Sequence, residues 1–196
     1  IFNFGKCRNC KSKISVSYLI VELLTAILFV YAYQKFGLTI KFLAFITFYS
    51  ALIIIFFTDF KYYLILDKIT YPITIIGFGF VLLDESPFEI EMFDSLLGGA
   101  IGFFTIYLIR YIFFKIRKIE GMGMGDAKLF LLVGIWLGIK SIYIVLASSA
   151  IVGALVGSLI IYFYKKDKNF QIPYGCFIVI AAGLYPNLGS LFYNLI

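Results

Sequence analysis

The sequence predicts an all-α, polytopic membrane protein with about seven transmembrane helices, and three observations carry that prediction. Of its 196 residues, 62% are apolar, well above the share of a soluble domain. Only 14% are charged, and most of these fall between apolar runs. A helix that crosses the bilayer takes about 20 apolar residues, so seven would take roughly 140 and leave short loops, which this length allows.

The elements follow in order. Residues 1–15 form a basic, polar segment with Lys6, Arg8, Lys11 and Lys13 beside Cys7 and Cys10. No apolar run separates these cations from the first span, so they are not a secretory signal peptide. The segment reads as a cytosolic part of a longer protein. Seven apolar stretches come next, at 16–34, 42–58, 69–83, 93–114, 127–138, 141–164 and 172–195. The third and fifth are short for a span. No 20–50-residue repeat and no low-complexity linker divides residues 16–196, which read as a single membrane-embedded domain. Gly98, Gly99 and Gly102 in the fourth stretch, and Gly153 and Gly157 in the sixth, have the spacing that lets transmembrane helices approach closely.

A cytosolic start can be tested against charge. Threaded from that side, inner segments collect Lys6, Arg8, Lys11, Lys13, Lys61, Lys68, Arg110, Lys115, Arg117, Lys118, Lys128, Lys165, Lys166 and Lys168, and outer ones keep only Lys35, Lys41 and Lys140. This is the bias of a membrane protein with its positive loops inside. The net charge of +6 is thereby assigned to topology in the lipid bilayer, and nucleic acid is not needed to explain it.

The chain has no histidine. That excludes serine–histidine dyads and triads, H-E-x-x-H metalloproteases and zinc deaminases, all of which need an imidazole. Hydrolysis must then run on Asp, Glu, Lys or Cys. An acid near the membrane is expensive, so each one outside an outer loop calls for a reason. Asp59 ends the second stretch and Asp126 opens the fifth, with two spans between them, so both reach the same membrane face. Two carboxylates within a few ångströms cannot both ionise cheaply and share one proton. Such a pair is the working part of an aspartic protease, in which one carboxylate takes a proton from water and the other donates to the scissile carbonyl. Plainer roles exist: Asp126 as N-cap of the fifth helix and Asp59 as a solvated helix end. Gly121, Gly123 and Gly125 ahead of Asp126 remove side chains where an extended substrate backbone would approach. As a nucleotide motif this run fails, being G-x-G-x-G outside any βαβ unit.

Gly121-Met122-Gly123-Met124-Gly125-Asp126-Ala127-Lys128-Leu129 resembles the signature of the bacterial type IV prepilin peptidases, which are GxGD intramembrane aspartyl proteases. Companion matches run along the chain: Gly5-Lys6-Cys7-Arg8-Asn9-Cys10-Lys11 with Ile14-Ser15, Val21-Glu22-Leu23-Leu24-Thr25, Asp59, and Ile172-Pro173-Tyr174-Gly175. The resemblance implies catalysis by Asp59 and Asp126. It implies as substrate the basic leader of prepilins and pseudopilins, cut after glycine at the cytosolic face of the inner membrane. It also implies N-methylation of the new terminus with S-adenosylmethionine in the full-length protein. Three positions depart from the pattern: Leu66 and Cys176 stand where proline is usual, and the family's first C-x-x-C lies outside this sequence.

Asp67 rivals Asp59 but reads as the N-cap of the next helix. Glu22, inside the first stretch, is expected to pair with an inner cation such as Lys128 or to border a methyl-donor site. Cys7 and Cys10 form a C-x-x-C that offers two of the four ligands of a structural zinc, and Cys176 reads as a small buried hydrophobe. Cleavage by a carboxylate pair needs no cofactor. The competing reading is a proton- or cation-coupled transporter with an ion path through Glu22, Asp59 and Asp126, against which the acids gather at one face and not at the midplane.

Overall fold

A computed structural model describes residues 10, 12–13, 15–118, 123–164 and 172–193. Every regular element among them is a helix: α1 (Val16–Phe36), α2 (Ile40–Tyr62), α3 (Asp67–Leu82), α4 (Met92–Arg117), α5 (Met124–Tyr164) and α6 (Tyr174–Tyr193). Local chemistry sets several ends. The Ser15 hydroxyl accepts from Ser17 N–H ahead of α1, and the Thr39 hydroxyl accepts from Phe42 N–H ahead of α2. Gly37 (φ 60°) closes α1 and Tyr63, in the left-handed conformation, closes α2.

Four of the described helices are long and apolar enough to cross a membrane: α1, α2, α4 over Met92–Ile116 and α5 over Met124–Ile160. Six helices thus stand where seven apolar stretches were expected. The difference arises at Gly138, where the stretches 127–138 and 141–164 join in one element. Gly138 has φ 76° and ψ 177°, a conformation open to glycine and costly for other residues, so the chain turns there without a loop. The turn is a reversal. A Cβ on Gly102 would meet both the Phe130 carbonyl oxygen (2.7 Å) and Ile142 Cδ1 (2.8 Å). In a straight helix those two residues would be ~18 Å apart. The second limb of α5 therefore returns beside the first, and at the turn Ile139 N–H donates to Asp94 Oδ1 (3.2 Å) from the first turn of α4.

α5 is central and packs against α3, α4 and α6, while α2 touches α1, α3 and α6. The spaced glycines act as their pattern suggests. Gly98 and Gly134 bring the backbones of α4 and α5 into direct contact, and Gly99 and Gly102 accept Ile135, Phe130 and Ile142. Gly153 faces Tyr174 and Phe177, and Gly157 faces Ile172. Trp136 is buried between Phe48 and Phe80 and donates its indole N–H to the Ile73 carbonyl (3.0 Å), with Gly77 making room for the ring. The indole thereby places a large apolar body in the core with its polar atom satisfied.

Candidate active site

Asp59 lies in the last turn of α2 and is 5% exposed. Its backbone carbonyl accepts from Tyr63 N–H (2.8 Å), the bond that closes the helix. Its carboxylate reaches across to the start of α6, where Cys176 N–H donates to Oδ2 (3.0 Å) and the Gly175 N–H also faces it. First-turn N–H groups have no partner within their own helix and form its positive end, so they suit a buried carboxylate. Gly175 is what permits the approach: a Cβ there would stand 2.7 Å from Asp59 Oδ2.

Asp126 is 7% exposed and sits in the first turn of α5. The plainer role of an N-cap does not hold for it: the helix begins at Met124, which makes Asp126 its third residue, with its N–H directed to the Gly123 carbonyl (3.3 Å). Asp59 is a neighbouring carboxylate whose charge bears on Asp126. Two acids 67 positions apart in sequence are thus electrostatic neighbours at one end of the bundle. Tyr174 lies within reach of the Asp126 charge, and its hydroxyl is 3.0 Å from Ser149 Oγ on the returning limb of α5.

The remaining candidates separate clearly. Asp67 is not an N-cap either: Leu66 holds that position and Asp67 is the first residue of α3. Both Asp67 oxygens meet Lys128 Nζ at 2.7 Å, and the aspartate side chain is 55% exposed. Lys128 therefore pairs with Asp67 and not with Glu22, which lies exposed on α1. The reason is position, since Lys128 is one residue past the Asp126–Ala127 step of α5 and Asp67 begins the neighbouring α3. Cys176 is buried, as expected of a small apolar residue, yet its N–H holds Asp59 and its thiol is 3.4 Å from the Phe56 carbonyl.

Of the glycine run, Gly121 lies outside the described residues, Gly123 precedes α5, and Gly125 is the second residue of α5. A Cβ on Gly125 would lie 3.0 Å from the Cβ of Ile65, a residue that sequence reasoning did not single out. Cys7 also lies outside the described residues, and Cys10 Sγ is 3.0 Å from Ser12 Oγ. Among the described residues no three His, Cys, Asp or Glu side chains gather as a metal site.

Comparison with known proteins gives a consistent result. Residues 46–158 match the Type IV leader peptidase family, and residues 1–36 match the Bacterial Peptidase A24 N-terminal domain. A protein of Xanthomonas campestris pv. campestris named "Prepilin leader peptidase/N-methyltransferase" is 31% identical over 178 residues, covering 91% of this chain and 61% of the relative. A protein of the same name from Aeromonas hydrophila is 33% identical over 178 residues, covering 91% of this chain and 60% of the relative. The chain thus spans about 60% of the length of the curated relatives it matches. No solved structure matches.

Proposed function

Since the chain belongs to the type IV leader peptidase family, we propose that it carries the aspartyl endopeptidase that cuts the leader of prepilins or pseudopilins after glycine. The observation that supports this reading is the approach of Asp59 and Asp126, both buried and both at helix ends, with the Asp59 charge bearing on Asp126 and Ile65 packed against the glycine beside each. Cys176 N–H engages Asp59 Oδ2, which leaves Oδ1 to take a proton from the attacking water. The water oxygen bonds to the scissile carbonyl carbon while Asp126, as the protonated partner, donates to the carbonyl oxygen. Collapse of the tetrahedral diol breaks the C–N bond as the proton held by Asp59 goes to the leaving amine and one diol hydroxyl returns its proton to Asp126, which leaves a carboxylic acid and restores the pair.

The site faces the cytosol of the inner membrane in this reading. Lys61, Lys68, Lys118 and Lys128 flank the end that holds the two acids, whereas Asp84, Glu85, Glu89 and Glu91 occupy the opposite α3–α4 connection. That distribution follows the positive-inside rule. Read as seven crossings, with the two limbs of α5 counted separately, the chain brings residue 15, Asp59, Asp126 and the start of α6 to one face in this proposal. Zinc and S-adenosylmethionine belong with methyl transfer, the second activity in the relatives' names, and leader cleavage passes through neither. An ion path is less well supported because Glu22 is exposed on α1, whereas Asp59 and Asp126 are buried.

The reading is tested by incubating the purified protein with a prepilin-leader peptide and sequencing the products. Cleavage after glycine that is lost in both Asp59→Asn and Asp126→Asn supports it, and undiminished cleavage in either variant refutes it.

A further inference from the structure

The four residues between α2 and α3 connect Asp59 to Asp67, and one of them points inward. Tyr63 and Leu64 are about half exposed, whereas Ile65 is 9% exposed. Tyr63 takes the left-handed conformation that closes α2, and two residues on the Ile65 side chain packs between two glycines. Its Cβ lies 3.0 Å from where a Cβ of Gly125 would stand, and its Cδ1 lies 3.0 Å from where a Cβ of Gly175 would stand. Each of those glycines adjoins one half of the dyad. Gly125 precedes Asp126, and Gly175 precedes Cys176, whose N–H holds Asp59.

We infer that Ile65 is a spacer that sets the gap between Asp59 and Asp126, and so a positioning residue for cleavage; the inference rests on the leader peptidase reading. A β-branched side chain suits this task because its χ1 is restricted and it yields little when packed. The segment that carries it is held at both ends. Tyr63 N–H is bonded to the Asp59 carbonyl, and Asp67 is paired with Lys128, two residues beyond Asp126. A wedge pinned in this way transmits its width to the helix starts on either side. Reacting groups misplaced by about 1 Å lose on the order of 10²-fold in rate, so the width of one side chain is enough to matter.

The test uses kcat and KM for a prepilin-leader peptide, with thermal unfolding recorded for each variant. Ile65→Ala is expected to lower kcat about 100-fold with KM changed less than about threefold, and Ile65→Val to recover to within about fivefold of wild type. Gly125→Ala presses a methyl group against Ile65 and also lowers kcat. Combined with Ile65→Ala, which removes the Cδ1 and Cγ1 contacts at 3.3 and 3.4 Å and keeps only the Cβ at 3.0 Å, the same methyl meets fewer atoms, so the loss in the double variant is expected to be smaller than the product of the two single losses by about fivefold or more. Unchanged kcat in Ile65→Ala, or a loss confined to KM, overturns the inference. Should Ile65→Ala fail to fold, Ile65→Val with and without Gly125→Ala decides it, and purely additive losses overturn it. Asp59→Asn and Asp126→Asn serve as controls. If they still cut, the dyad falls and the spacer with it; if they are inactive while Ile65→Ala keeps full kcat, only the spacer falls.

Discussion

The backbone N–H of Cys176, at the start of α6, donates to Oδ2 of Asp59, at the end of α2, over 3.0 Å. One helix is thereby capped by a side chain of another, and a carboxylate buried in an apolar bundle gains the polar partner that its burial demands. The same contact fixes the depth of Asp59. With Asp126 in the first turn of α5, both acids stand beside helix N-termini, where a partial positive charge tolerates them.

If the pair is the machinery, its two members should be equally indispensable. Asp59→Asn and Asp126→Asn are each expected to lower leader cleavage by at least about 10²–10⁴-fold, the usual contribution of a positioned acid or base, without loss of fold. Asp67→Asn should stay within about fivefold of wild type, because an exposed pair with Lys128 is worth about 0–1 kcal/mol. Peptide cleavage in detergent measures all three. A normal rate for Asp59→Asn beside a dead Asp67→Asn would reassign the first aspartate.

Positions 175 and 176 separate backbone from side chain. A methyl group at 175 would stand 2.7 Å from Asp59 Oδ2 and 3.0 Å from Cγ, so Gly175→Ala must push the carboxylate off its N–H donor. A loss of about tenfold or more in cleavage is expected, in line with the ~1.5–3 kcal/mol of a hydrogen bond to a charged group. Cys176→Ala keeps the N–H and removes only the thiol, so its rate should remain within about threefold. A thiol needed for chemistry would show the reverse order.

Much of this architecture can be read from local patterns. The all-helical class and the ends of α2 and α4 follow from runs of apolar residues bounded by charge. That Asp59 and Asp126 share one end of the bundle is expected from the two apolar stretches that separate them in sequence. The turn at Gly138 escapes such reading, since a glycine in an apolar stretch looks the same whether it packs or bends, and only its φ of 76° distinguishes the two. Asp67 and Asp126 have cap-like sequence contexts, yet each helix starts ahead of the expected cap because Leu66 and Gly123 supply the extended backbone and the carbonyl. Ile65 carries no mark at all in a chain that is 62% apolar, as its role comes from two glycines far away in sequence.

The α4–α5 contact offers a stability test. A Cβ on Gly134 would collide with the backbone at Gly98 and Gly99, which cannot yield as a side chain can. Gly134→Ala should therefore destabilise the folded protein by about 1–3 kcal/mol or more, as overpacking does. The nearest atom to a Cβ on Gly153 is Phe177 Cδ2 at 3.4 Å, and that ring can shift. Gly153→Ala should be neutral or gain up to about 1 kcal/mol from helix propensity. Thermal unfolding in one detergent ranks the two, and equal midpoints would mean that the close backbone approach is not a stability determinant.

At the opposite end from the two catalytic candidates, Asp94 and Gly138 together make the reversal of α5. Asp94 Oδ1 accepts from Ile139 N–H, the first donor of the returning limb, and a Cβ on Gly138 would run into the same carboxylate. Gly138→Ala is thus opposed twice, by a φ of 76° that costs a non-glycine residue about 1–2 kcal/mol and by the collision itself. Asp94→Ala removes the cap alone, for about 0.5–2 kcal/mol, whereas Asp94→Asn keeps an oxygen acceptor and should lose less. The expected order of unfolding midpoints is wild type, Asp94→Asn, Asp94→Ala, Gly138→Ala. Folded Asp94→Asn should cut a leader peptide at nearly the wild-type rate, because the length of α5's first limb separates the turn from Asp126. A Gly138→Ala protein as stable as wild type would show that the reversal does not depend on glycine, and an Asp94→Asn protein that folds but does not cut would show that the two ends of α5 are coupled.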